Sequence, residues 1–93
     1  MTERVRIRVR EVLAFLHAEE AGILEALRAE GLFLEDELAP DVAEELRVAA
    51  CLMRELGVNP AGVDVALHLR RRLAFLEERM RDLLERLDGD PER

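Results

Sequence analysis

The sequence predicts a mostly helical single domain, with a small two-stranded β element near its start and a long coiled-coil helix at its end. Three observations carry this. Apolar residues recur at helical spacing over most of the chain. Period-two alternation is confined to residues 4–10. From Ala66 to Leu87 an apolar residue falls at every third or fourth position for three heptads. At 93 residues the chain fits one domain. It is too short for a dinucleotide-binding domain with a substrate domain, or for a TIM barrel.

Val5, Ile7 and Val9 alternate with Arg4, Arg6, Arg8 and Arg10, the pattern of a half-buried strand. From Glu11 the period changes. Val12, Phe15 and Leu16 share a face of a short helix ending near His17. A second helix carries Ile23, Leu24 and Leu27 on one face, and Gly31 suits its C′ position, where positive φ is needed. The apolar run Leu32-Phe33-Leu34 reads as a second strand pairing with the first. The acids Glu35, Asp36 and Glu37 then lie near the strand arginines.

Pro40 suits the first turn of a third helix, with Asp41 near its positive end. Val42, Leu46, Ala49, Met53 and Leu56 give that helix an amphipathic stripe, and Gly57 ends it. Asn59-Pro60 restarts the chain as N-cap and first helical residue. The last helix is expected to run to about Leu87, before Gly89 and Pro91. With Ala66 as heptad position a, Ala66, Leu69, Leu73, Leu76, Met80, Leu83 and Leu87 fill every a and d position. Arg72, Arg79 and Arg86 fall at g; Arg70, Glu77 and Leu84 fall at e. Such a helix is ~42 Å long at 1.5 Å per residue. The rest of so small a domain cannot cover it, so a homodimer through these residues is expected. Charge leaves the orientation open. A parallel pair matches Arg72 with Glu77; an antiparallel pair in register sets arginines together.

Hydrophobic residues make up 49% and charged residues 38%, a balance that argues against disorder. No apolar run approaches the ~20 residues that span a bilayer, and residues 1–10 lack a signal-peptide core. The expected compartment is the cytoplasm, with no membrane partner. All 14 basic residues are arginine, and the net charge of −7 is unevenly spread. Residues 1–10 carry +3, residues 11–50 carry −9, and residues 70–93 balance at zero. The acidic half repels nucleic acid and attracts basic protein faces.

Little in the chain supports catalysis. Cys51 is the only cysteine, which excludes a disulfide framework and a Cys-based zinc site. It also lacks a neighbouring base or helix N-terminus to activate it. Asp64 and His68 lie one turn apart and can touch, but one His and one Asp are too few ligands for zinc. His17 sits near a helix C-terminus, where a capping role suits it. The doublets Glu19-Glu20, Glu44-Glu45 and Glu77-Glu78 look like paired carboxylates, yet adjacent helix positions point about 100° apart. The chain has no serine and no Gly-rich phosphate loop. No enzymatic activity, metal or cofactor is expected.

The order of strand, two short helices, small hairpin, third helix and long fourth helix resembles a winged helix-turn-helix of the MerR class. The run ELGVNPAGVDVALHLRRRLAFLE, within residues 46–87, resembles the chaperone modulator CbpM family and related MerR-like heat-shock regulators. On that resemblance, residues 1–38 form a degenerate helix-turn-helix with a short wing and residues 39–57 the third helix. Residues 59–87 form the dimerisation helix and residues 88–93 a tail. The implied function is binding the J-domain of a DnaJ- or CbpA-like co-chaperone, limiting its access to the Hsp70 DnaK. The chain departs from the pattern at Ala18-Glu19-Glu20-Ala21, where the small-Gly-polar turn is missing, and in a wing without arginine. The second helix carries Glu25 and Glu30 against Arg28, a poor set for base edges and phosphates.

The contact residues expected for the J-domain are Glu44, Glu45, Glu55, Asp64 and His68, acids and a neighbouring histidine on the third and fourth helices. Two rival readings stand beside this one. A MerR-type transcriptional regulator would bind DNA through the second helix and Arg4, Arg6, Arg8 and Arg10. An assembly factor would tether DnaK and a J-protein in one complex.

Overall fold

A computed structural model describes residues 4–19 and 21–88. Four helices and a small antiparallel sheet follow in the order β1 (Ile7–Arg8), α1 (Val9–Phe15), α2 (Ile23–Ala29), β2 (Glu37–Leu38), α3 (Pro40–Leu56) and α4 (Pro60–Asp88). The expected helix stop at Gly89 and Pro91, the tail and Glu20 of the first acidic doublet lie outside the described residues.

The strands are shorter than the alternation suggests. Ile7 pairs with Leu38 and Arg8 with Glu37. Val9 already begins α1, its N–H donating to the Asp36 carbonyl at 2.9 Å. The pairing ends on the other side at Ala39-Pro40, because proline has no N–H to give and starts α3 instead. Leu32-Phe33-Leu34 is not the second strand. Phe33 has φ 52°, in the left-handed region that no strand uses, and buries its ring while Leu34 stays exposed. The residue that completes the sheet is Leu38, which is almost fully buried.

The face of α1 is also corrected. Because the helix starts at Val9, its core stripe is Val9, Val12, Leu13 and Leu16; Phe15 falls off it and is 82% exposed. Past α1 the chain turns at His17, with φ 55°. The His17 N–H reaches the Ala14 carbonyl at 3.0 Å, and the Ala18 N–H reaches Leu13 at 2.8 Å. That is a Schellman cap with histidine at C′. Helix α2 ends the same way, with Gly31 at φ 83° and Leu32 N–H on the Leu27 carbonyl at 3.0 Å. So His17 caps through its backbone.

Helix α3 lies in the centre, packed on α1 and on α4. Two-sided packing rotates its buried set relative to the expected stripe. Ala43, Leu46, Ala49 and Ala50 are buried, Val42 and Met53 are half-buried, and Leu56 is 73% exposed. The alanines allow neighbouring helices to approach closely. Gly57, at φ 69°, ends α3. The Asn59 side chain then caps α4, accepting the Gly62 N–H at 2.7 Å. Val63 and Leu67 are the buried residues of α4, and they complete a core whose fully buried members include Val9, Leu27 and Leu46. No helix among the described residues is long and apolar enough to cross a membrane.

Candidate partner-binding surfaces

The five expected contact residues fall into different environments. Glu45 points into the α3–α4 junction and is 8% exposed. Arg71 donates to it twice, Nε to Oε2 and Nη2 to Oε1, each at 2.7 Å. That bidentate geometry is the strong form of an arginine–carboxylate pair. Its carboxylate is therefore engaged inside the molecule and joins two helices. The hydrogen bond from Glu45 also pushes the Arg71 pKa up, and Asp64 adds to this through its charge.

Glu44, next in sequence, points elsewhere, as the 100° step between neighbours requires. It accepts from Arg47 Nε at 3.0 Å and Nη2 at 2.6 Å, one turn along α3, and Arg70 comes within 4.0 Å. The hydrogen bond from Arg47 holds its pKa below the usual carboxylate value. Glu44 remains partly exposed, as do the fully exposed Glu55, Asp64 and His68. Among the described residues, Asp64 and His68 make no hydrogen bond or ion pair with each other. Glu44 and Glu55 are eleven residues apart on α3, about 16 Å along its axis. The exposed acids thus spread over the α3–α4 hairpin and do not form one cluster. No group of three His, Cys, Asp or Glu that could hold a metal occurs among the described residues.

Helix α2 shows what its charges are used for. Glu25 and Glu30 are exposed, while Arg28 folds back onto the following loop. Its Nε donates to the Phe33 carbonyl at 2.7 Å; its Nη2 donates to the Glu35 carbonyl at 3.1 Å and to Asp36 Oδ1 at 3.2 Å. Arg28 therefore staples residues 33–36, a role sequence spacing did not reveal. This pairing also takes Asp36 away from the strand arginines. Glu37 is the cross-strand neighbour of Arg8, without an ion pair between them. Arg4, Arg6, Arg8 and Arg10 are all exposed. A cleft of about 190 Å³ beside them is lined by Arg8, Arg10, Arg28, Asp36 and Glu37, whose charges nearly cancel.

The apolar stripe of α4 is the largest open surface. Leu69, Leu73, Leu76, Met80, Leu83 and Leu87 are each between 53% and 64% exposed. Ala66, at its upper end, is half-buried. At about 100° per residue, the stripe is centred roughly 135° around α4 from the Val63–Leu67 face that α3 covers. It is closed above Ala66 by Val58: a Cβ on Gly62 would lie 2.8 Å from Val58 Cγ1. Covering the open half of each long side chain is worth roughly 1 kcal/mol. On the opposite flank Arg79 lies over the Phe75 ring, 5.7 Å from its centroid.

No family model, curated protein or solved structure matches this chain. The residues themselves carry the functional argument.

Proposed function

We propose that this protein is a non-enzymatic chaperone modulator. It binds the J-domain of a DnaJ- or CbpA-like co-chaperone through acidic residues of its helical body and keeps that J-domain from the Hsp70 DnaK. In this reading α1 and α2 are a degenerate, MerR-like helix-turn-helix, residues 32–38 are its reduced wing, and α4 joins two copies into a homodimer. The resemblance of residues 46–87 supplies the family. The observation that carries the reading is the state of α2. A helix placed to read a DNA groove offers Glu25 and Glu30 to solvent, while its one arginine is held by the Phe33–Asp36 loop. Base edges and phosphates call for free Arg, Lys, Asn or Gln, so this surface suits a basic protein face. Glu44, Glu55 and Asp64, with His68 beside it, supply the exposed contacts, and Glu45 supports them from within through Arg71.

The test is a pull-down from a cytoplasmic extract with the tagged protein as bait, at low and moderate salt. A DnaJ-type protein as the main prey, weakened by salt, agrees with the reading. DnaK in fixed proportion with it moves the assembly-factor reading ahead. The exposed arginines from Arg4 to Arg10 favour one rival, the DNA-binding regulator. Capture of DNA without a J-protein would establish that rival, and no DNA binding at low salt would remove it.

A further inference from the structure

We propose that two copies of this chain pair through the Ala66–Leu87 stripe as a parallel, in-register, two-stranded coiled coil. Both helical bodies then stand at the same end of the dimer. The proposal rests on the homodimer reading above and adds its orientation.

The occupant of the stripe is a second copy because the stripe complements itself. It repeats at 3 and 4 residues for three heptads over ~33 Å, and every long a and d side chain is more than half open. Val58 closes it at Gly62, so it starts where cover by the chain itself stops. Leucine at all three d positions, Leu69, Leu76 and Leu83, suits two parallel strands. The α3 helix sits on the far flank, so two bodies at one end point away from each other.

Charge selects the direction. In an antiparallel pair g faces g, and the g positions from residue 72 onward are all arginine. The antiparallel register that best spans the stripe sets Ala66 opposite the partner's Leu83. It places Arg72 against the partner's Arg79 twice. Its attractive pair joins Glu77 to the partner's Arg70, an arginine already 4.0 Å from Glu44 within its own chain. In a parallel pair g meets e five residues on. Arg72 then faces the partner's Glu77, twice by symmetry, and no like charges meet. Neither residue makes an ion pair among the described residues of its own chain. The Arg79 stem also covers the partner's Leu84, which α4 leaves exposed.

The experiment uses the full chain. Light scattering first reports mass, and a monomer at all concentrations overturns this proposal and the homodimer reading together. Leu87→Cys in a Cys51→Ala background is then oxidised. The parallel dimer brings the two thiols face to face and converts to a covalent dimer. If L87C stays uncrosslinked while a mixture of A66C and L83C chains joins, the orientation is overturned and the homodimer stands. Arg72→Glu, made in the native background, needs no cysteine. It raises the dimer Kd roughly fivefold in the parallel form, and Arg72→Glu with Glu77→Arg restores it. Tighter association of R72E alone would mean that Arg72 faces Arg79, and would also overturn the proposal.

Discussion

Arg71 of α4 grips Glu45 of α3 through two hydrogen bonds of 2.7 Å, and this pair marks the level at which α3 stops covering α4. On the Pro60 side of it, Val63 and Leu67 are buried; beyond it, α4 is exposed on every face. The pair is asymmetric, since the Glu45 side chain is 11% exposed and the Arg71 side chain 58%. Removing Arg71 leaves a nearly buried carboxylate without a partner, whereas removing the Glu45 charge leaves an arginine that water can reach. Arg71→Met is expected to cost about 2 kcal/mol and Glu45→Gln about 1 kcal/mol, after discounting for the open guanidinium. Urea unfolding of both variants checks the order; equal losses would contradict it.

Two leucines of α4 should behave differently. Leu67 is fully buried against α3, so Leu67→Ala should lose roughly 2–5 kcal/mol at any protein concentration. Leu73 lies on the open stripe, and Leu73→Ala should lower the melting temperature only where the wild type is associated. Thermal melts across a hundredfold range of concentration separate the two.

Gly62 is required by closeness to Val58. Gly62→Ala places a Cβ 2.8 Å from Val58 Cγ1 and about 3.1 Å from Asn59 Oδ1, the cap acceptor. The expected loss is about 1–3 kcal/mol. Adding Val58→Ala should return part of it, which a double-mutant cycle measures. A loss that Val58→Ala does not relieve would place the strain at the cap.

His17 holds a left-handed conformation where α1 ends, the place Gly31 holds after α2. Histidine tolerates that region better than most residues, and glycine better still. His17→Gly should therefore stabilise by about 0.5–1 kcal/mol, read as a higher melting temperature. A lower one would show that the imidazole makes a contribution beyond its backbone.

Glu44 gives a pH signature. Arg47 lowers its pKa in the folded chain, so the pair stabilises the fold above the ordinary carboxylate value and is lost as pH falls through the lowered one. A carboxyl NMR titration should place Glu44 below an unpaired glutamate, and Arg47→Ala should move it back up. An unchanged titration in R47A would contradict the pairing.

The parts of this fold legible in the sequence are those set by local punctuation. Pro40, Gly57 and Asn59-Pro60 bound α3 and α4 because each acts on its own backbone. The parts set by contact between distant residues were not legible. Leu38 became the second strand, and Leu32-Phe33-Leu34 did not, because Arg28 draws the Phe33 carbonyl into a tight loop. Val9 became helical because its N–H meets the Asp36 carbonyl. Glu45 reads in the sequence like Glu44, and only the packing of α3 between α1 and α4 turns it inward. The open stripe of α4 follows its heptads directly, since little else in the chain reaches it.

The central claim is that exposed acids bind a basic J-domain surface. Calorimetric titration of a purified J-domain into the full chain, at about 0.05 and 0.2 M salt, tests it most directly. The account predicts binding that weakens with salt, and weakens further in a Glu44→Arg, Asp64→Arg double variant that keeps the wild-type melting temperature. Absence of binding at the lower salt, or binding that ignores both salt and the reversed charges, would contradict it.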